Sequence, residues 1–158
     1  MAMLKDDLIA KMENARGQLN AALYKVPQDT EIYPTWKIKQ LMDHITGWDV
    51  LVVAAFRAHS RGDILGRVVK DGIDQYNADS VKDRKSLSLA QSRQAYDDAR
   101  ADVIRAMREI PDVKLTEKFK PPWGGMCTVA SVVRIFVSHE IEHAEQVENS
   151  MKKPMETG

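Results

Sequence analysis

TVASVVRIFVSHEIEHAEQV, residues Thr128–Val147, decides the fold. Val129, Val132, Val133, Phe136, Val137, Ile141 and Val147 return at steps of three and four, the spacing of one helix face, and Thr128 stands where an N-cap hydroxyl is needed. Working outward, three more segments carry the same period. Leu4, Leu8, Met12, Ala15, Leu19 and Ala22 form a stripe from about Met3 to Tyr24, closed by Pro27. Ile38, Leu41, Ile45, Trp48, Leu51, Val52, Ala55 and Phe56 form a broad one, expected to open at Thr35 as N-cap and to stop at Gly62. Tyr96, Ala99, Val103, Met107 and Ile110 form the last, opened by Ser88 with Gln91 three residues on, the pattern of a capping box, and ended by Pro111.

Four long amphipathic helices without a convincing strand predict an all-α four-helix bundle. Residues 63–86 are interrupted by Gly66, Gly72 and the Tyr76-Asn77-Ala78-Asp79 stretch, so short helical pieces in a crossover are expected after the second helix. Pro121-Pro122-Trp123-Gly124-Gly125 excludes helix and predicts a turn packed by its tryptophan. One domain over residues 1–150 and a flexible polar tail over 151–158 complete the plan.

The 158 residues carry 23 Lys plus Arg against 23 Asp plus Glu. A chain of this length buries roughly 68–70% of the surface its unfolded form exposes, so its core needs no staples. Zero formal charge argues against holding a phosphate backbone, which calls for surplus Lys and Arg. No apolar run reaches the roughly 18 residues of a membrane span. One cysteine, Cys127, and no charged-then-apolar opening segment lead to the expectation of a cytoplasmic protein with a small-molecule substrate rather than nucleic acid or membrane as partner.

Chemistry concentrates on histidine. His139 and His143 are four apart, about 6 Å along one helix face, a spacing at which two imidazoles can bind one metal ion. Both fall on the stripe of Val132, Phe136 and Val147 and are expected to point inward. His44 falls likewise between Leu41 and Trp48. Three unpaired imidazoles in a core would be costly, and a divalent cation would remove that cost; zinc, nickel and ferrous iron all suit the residue types. His59, 15 residues beyond His44, is off that meridian and expected at the surface. His139-Glu140-Ile141-Glu142-His143 is literally H-E-x-x-H, but only 15 residues follow and none is histidine, so the protease reading lacks its third ligand. Glu140 stands beside the expected metal as a catalytic acid/base or as a group orienting a ligand. Trp48 and Gln146, each about one turn from a histidine, should line the same cavity; core packing and a solvated helix end are their plain alternatives. Cys127, about 18 Å along the helix from His139, is too far to share the metal and reads as packing.

Trp36-Lys37-Ile38-Lys39-Gln40-Leu41-Met42-Asp43-His44-Ile45-Thr46-Gly47-Trp48-Asp49 resembles the second-helix motif of the DinB-like (damage-inducible) four-helix-bundle superfamily. Trp123-Gly124-Gly125, Thr128 and His139 through Gln146 resemble its last-helix motif. Tyr76-Asn77-Ala78, Arg84 and Leu87-Ser88 are similar to members near the ClbS/DfsB subgroup, whose relatives are associated with resistance to a reactive toxin. The resemblance implies a long crossover after the second helix and a three-histidine divalent-metal site of His44, His139 and His143, which places the chain nearer the metal-binding branch. It also implies a thiol S-transferase or isomerase using a low-molecular-weight thiol such as bacillithiol or mycothiol, and a homodimer. A metal-held thiolate or hydroxide would be the nucleophile; sequestration of a metal or toxic molecule without turnover is the alternative, and a metal-free association bundle the third.

Overall fold

The structure is a computed structural model and describes residues 2–152. Five α-helices follow in order: α1 (Ala2–Lys25), α2 (Ile38–Arg61), α3 (Ile73–Asp83), α4 (Leu89–Glu109) and α5 (Val129–Ser150), with a short 3₁₀ turn at Asp112–Leu115. Among the described residues the only β pairings are the isolated bridges Tyr33–Trp36 and Phe119–Cys127, so the all-α bundle expected from the stripes is what forms. Most of the expected tail, residues 153–158, lies outside the described residues; Met151 and Lys152 form a turn.

The apolar stripes are the core. Leu8, Met12, Ala15, Leu19 and Ala22 of α1 are buried, as are Tyr96, Ala99, Val103 and Met107 of α4. Leu8 and Met12 pack with Val52, Phe56, Val103, Met107, Val129 and Val132, while Leu19, Ala22 and Leu23 pack with Leu41, Ile45, Tyr96, Ala144 and Val147. Those pairings run α1 parallel to α5 and α2 parallel to α4, with the two pairs opposed. Because α2 and α4 are parallel, the chain between them must travel the length of the bundle, which is the expected crossover, and α3 lies within it.

Ser88 accepts from Gln91 N–H at 3.1 Å while the Gln91 side chain accepts from Ser88 N–H at 2.8 Å. Thr128 caps α5 by accepting from Ser131 N–H at 3.2 Å. Thr35 corrects the reading of α2: it caps nothing, and sits in a turn at φ 70° between Tyr33 and Trp36, whose backbones exchange hydrogen bonds. The helix begins three residues later, where the Gln40 side chain accepts from Lys37 N–H. Gly62 ends it at φ 75°, the left-handed C-cap that only glycine takes without strain.

Candidate functional site

Each long helix places one charge inside its apolar stripe: Arg16 on α1, Asp49 on α2, Arg100 on α4 and Glu140 on α5. These four meet midway between the two apolar clusters. Arg16 donates to Asp49 Oδ2 at 3.0 Å and to Glu140 Oε1 at 2.9 Å, and Arg100 donates to Asp49 Oδ1 at 3.0 Å and to both Glu140 oxygens. Two guanidiniums and two carboxylates cancel, and the side chains are 0–7% exposed. Coulomb attraction and direct hydrogen bonds replace the water that burial removes.

Above this layer opens a cavity of about 360 Å³, its floor including Asp49, Arg100 and Glu140. Its walls include Ile45, Trp48, Trp123 and Phe136, with His44, His139 and His143 from α2 and α5. Two connections supply the rest. α3 presses onto α2 at Gly47, where any Cβ would stand 2.2 Å from Ser80 Oγ, and Tyr76 O–H donates to Gly47 O at 2.8 Å. That contact brings Asn77 to the Trp48 indole, which donates to Asn77 Oδ1 at 2.6 Å. The Pro121–Gly125 turn carries Trp123 edge-on to Trp48, ring centroids 6.0 Å apart, and Pro122 O accepts from Val68 and Val69 N–H of the crossover.

The structure brings His44 and His143 together: their rings meet edge to face at 5.4 Å. Trp36 backs His44 at 5.3 Å. Burial first, then the neighbouring His143 and His139 rings, push His44 down to about 4, so it is neutral at pH 7, and its buried Nδ1 has no hydrogen-bond partner. His143 is also lowered, by burial and by His139. The expectation that His139 points into the core needs correction: it lines the cavity but is exposed, because α5 turns that meridian toward the mouth. His59 is corrected in the opposite sense. It is 5% exposed, stacked on Phe119 at 4.4 Å, with Nε2 donating to Lys114 O at 2.8 Å. The segment after α4 folds back over the end of α2, which the period of α2 alone cannot reveal.

Glu140 does not stand free beside the histidines. Both its oxygens accept from Arg16 and Arg100, so the carboxylate expected as an acid/base is committed to the ionic layer at the cavity floor. Of the three carboxylates lining the cavity, Asp49 is likewise engaged, and Glu142 is exposed and makes no ion pair among the described residues. Trp48 lines the cavity as expected. Gln146 does not; it accepts a hydrogen bond from Tyr33 O–H, and Tyr33 is also 2.7 Å from His143 Nδ1. Burial raises the Tyr33 phenol to about 12, with Glu142 adding to the effect. Burial also pushes the Cys127 thiol up, consistent with a packing residue.

In kind, three imidazoles beside an orphaned buried nitrogen fit a divalent transition metal. In arrangement, no group of three or more His, Cys, Asp or Glu side chains among the described residues is disposed to hold an ion. Nor is any helix long and apolar enough to cross a membrane among them.

The sequence pattern of the DinB superfamily matches residues 6–147. No curated protein matches the chain. Among solved structures, the mycothiol-dependent maleylpyruvate isomerase shares the fold with a TM-score of 0.77 at 12% identity, and a histidine-to-alanine mutant of that enzyme does so with 0.76 at 10%. Each match covers 90% of this chain and 60% of the other, so the chain spans only part of their length.

Proposed function

The chain belongs to the DinB superfamily, and from that premise we propose that it is a divalent-metal-dependent enzyme joining or isomerising small electrophiles with a low-molecular-weight thiol as cosubstrate. The observation that carries this reading is the cavity wall, where His44, His139 and His143 from two helices share one largely apolar chamber. The fold shared with a mycothiol-dependent isomerase supports thiol chemistry on this scaffold.

To hold a divalent cation, the side chains of His44, His139 and His143 would have to turn toward one point, since they are not disposed around one as they stand; held there, the ion would lower the pKa of a thiol or water. The chain's own residues do the rest. His44, neutral at pH 7 because burial holds it at about 4, keeps its lone pair for donation. Trp48, Trp123 and Phe136 exclude water and pack the apolar body of the electrophile. Glu142, at the mouth, accepts the proton that an arriving thiol releases; Glu140 instead holds α5 to α1 and α4 through the two arginines.

The test is conjugation: protein loaded with zinc, nickel or ferrous iron is incubated with low-molecular-weight thiols and a panel of small electrophiles. Thioether or isomer formation is expected, abolished by His139→Ala and slowed by Glu142→Gln. Metal and thiol binding without product in every combination would return the chain to sequestration, and full activity in His139→Ala would show the site to be misassigned.

A further inference from the structure

We infer that Tyr33 is a positioning residue for His143: together with Gln146 it holds the imidazole as the Nδ1–H tautomer and leaves the Nε2 lone pair on the cavity side. The inference rests on the reading of the cavity as the working site, but its geometry is independent of any metal.

A tyrosine hydroxyl has one hydrogen, and Tyr33 donates it to Gln146 Oε1, an atom that can only accept. With Gln146 turned so that Oε1 rather than Nε2 faces the hydroxyl, the 2.7 Å contact between the same hydroxyl and His143 Nδ1 is assigned as one that the ring donates. A neutral imidazole has a single N–H, and which nitrogen carries it is set by the partner of the other. With Nδ1 protonated, Nε2 is the acceptor. Tyr33 is not among the cavity-lining residues and His143 is, so the nitrogen turned away from Tyr33 serves the cavity.

The local backbone is built to hold this hydroxyl. Tyr33 N–H donates to Trp36 O at 3.3 Å and Trp36 N–H to Tyr33 O at 2.9 Å, closing the turn that keeps Thr35 at φ 70°. A threonine in the left-handed region is strained, and such strain persists where the surroundings over-determine it. Tyr33 meets the His143 ring edge to face at 6.0 Å, so both ring and hydroxyl fix the imidazole plane.

Long-range ¹H–¹⁵N NMR of histidine-labelled, chelator-treated protein reads the tautomer directly. His143 is expected to carry its proton on Nδ1 in the parent and in Gln146→Glu, which keeps the acceptor oxygen, and to lose that preference in Tyr33→Phe, which keeps the ring. Titration with Zn²⁺ alone is expected to show about 10- to 100-fold weaker binding in Tyr33→Phe. An Nε2–H signature in the parent, or a tautomer unchanged in Tyr33→Phe, overturns the inference, as does equal Zn²⁺ affinity of parent and variant. If the tautomer behaves as expected while neither protein binds Zn²⁺, the positioning role stands and it is the metal reading that falls.

Discussion

His44 has an ordinary imidazole value of 6.5 in the unfolded chain and about 4 in the fold, chiefly because burial disfavours its charged form. Above 6.5 both states are neutral and the group leaves stability unchanged with pH. Between 6.5 and 4 the unfolded chain binds the extra proton, so stability falls as pH falls through that window. Urea midpoints of chelator-treated protein should therefore drop from pH 7 to pH 4, and His44→Gln should flatten the drop; an equal slope in parent and variant would contradict the assignment. At this scale the sequence was partly legible. His44 and His143 were readable because each interrupts an apolar stripe. Tyr33 was not, since it lies in a turn where no period applies, and its partner His143 is 110 residues away. His139 misled because a helical stripe says which face is inward at the helix centre and not where a cavity opens.

Among the elements, α3 matters to the site out of proportion to its eleven residues. It reaches the cavity only because Gly47 lets Ser80 approach the α2 backbone, bringing Asn77 to Trp48 and Ile73 to the cavity edge. Gly47→Ala would overpack that contact, since a methyl would lie 2.2 Å from Ser80 Oγ and 2.6 Å from its Cβ. A loss of about 1–3 kcal/mol is expected by chemical denaturation, with faster amide exchange across Ile73–Asp83; unchanged exchange there would show that α3 docks by other contacts. The long helices were legible from their stripes and from the Ser88 and Thr128 caps, which are local features. The close approach at Gly47 was not, because a glycine inside a helix is silent about the neighbour it admits. The start of α2 was misplaced for a similar reason: Thr35 has cap chemistry, but the Tyr33–Trp36 hydrogen bonds claim its backbone first.

Across the whole molecule, the layer of Arg16, Asp49, Arg100 and Glu140 divides the apolar core in two and locks the four long helices in register. Its signal was present in the sequence, a single charge within each stripe: Arg16 between Met12 and Leu19, Asp49 between Ile45 and Val52, Arg100 between Tyr96 and Val103, Glu140 between Phe136 and Ala144. Read together, two positive and two negative intruders predict a cancelling cluster; read helix by helix, they look like exceptions. The balance of charges over the chain thus has an internal counterpart. Arg100→Met leaves Asp49 and Glu140 short of a partner in the interior and is expected to cost about 3–5 kcal/mol by urea denaturation. A cost under about 1 kcal/mol would mean that water or a side-chain shift already serves those carboxylates. The layer also explains why Glu140, which lies between two histidines of the cavity in sequence, is buried and bound to Arg16 and Arg100. The central proposal is that His44, His139 and His143 hold a divalent metal, and the most direct measurement is elemental analysis of protein prepared without chelator or polyhistidine tag. About one equivalent of zinc, nickel or iron per chain is expected, lost in His44→Ala and in His143→Ala; the absence of any stoichiometric transition metal from the parent, before and after incubation with these ions, would contradict the account.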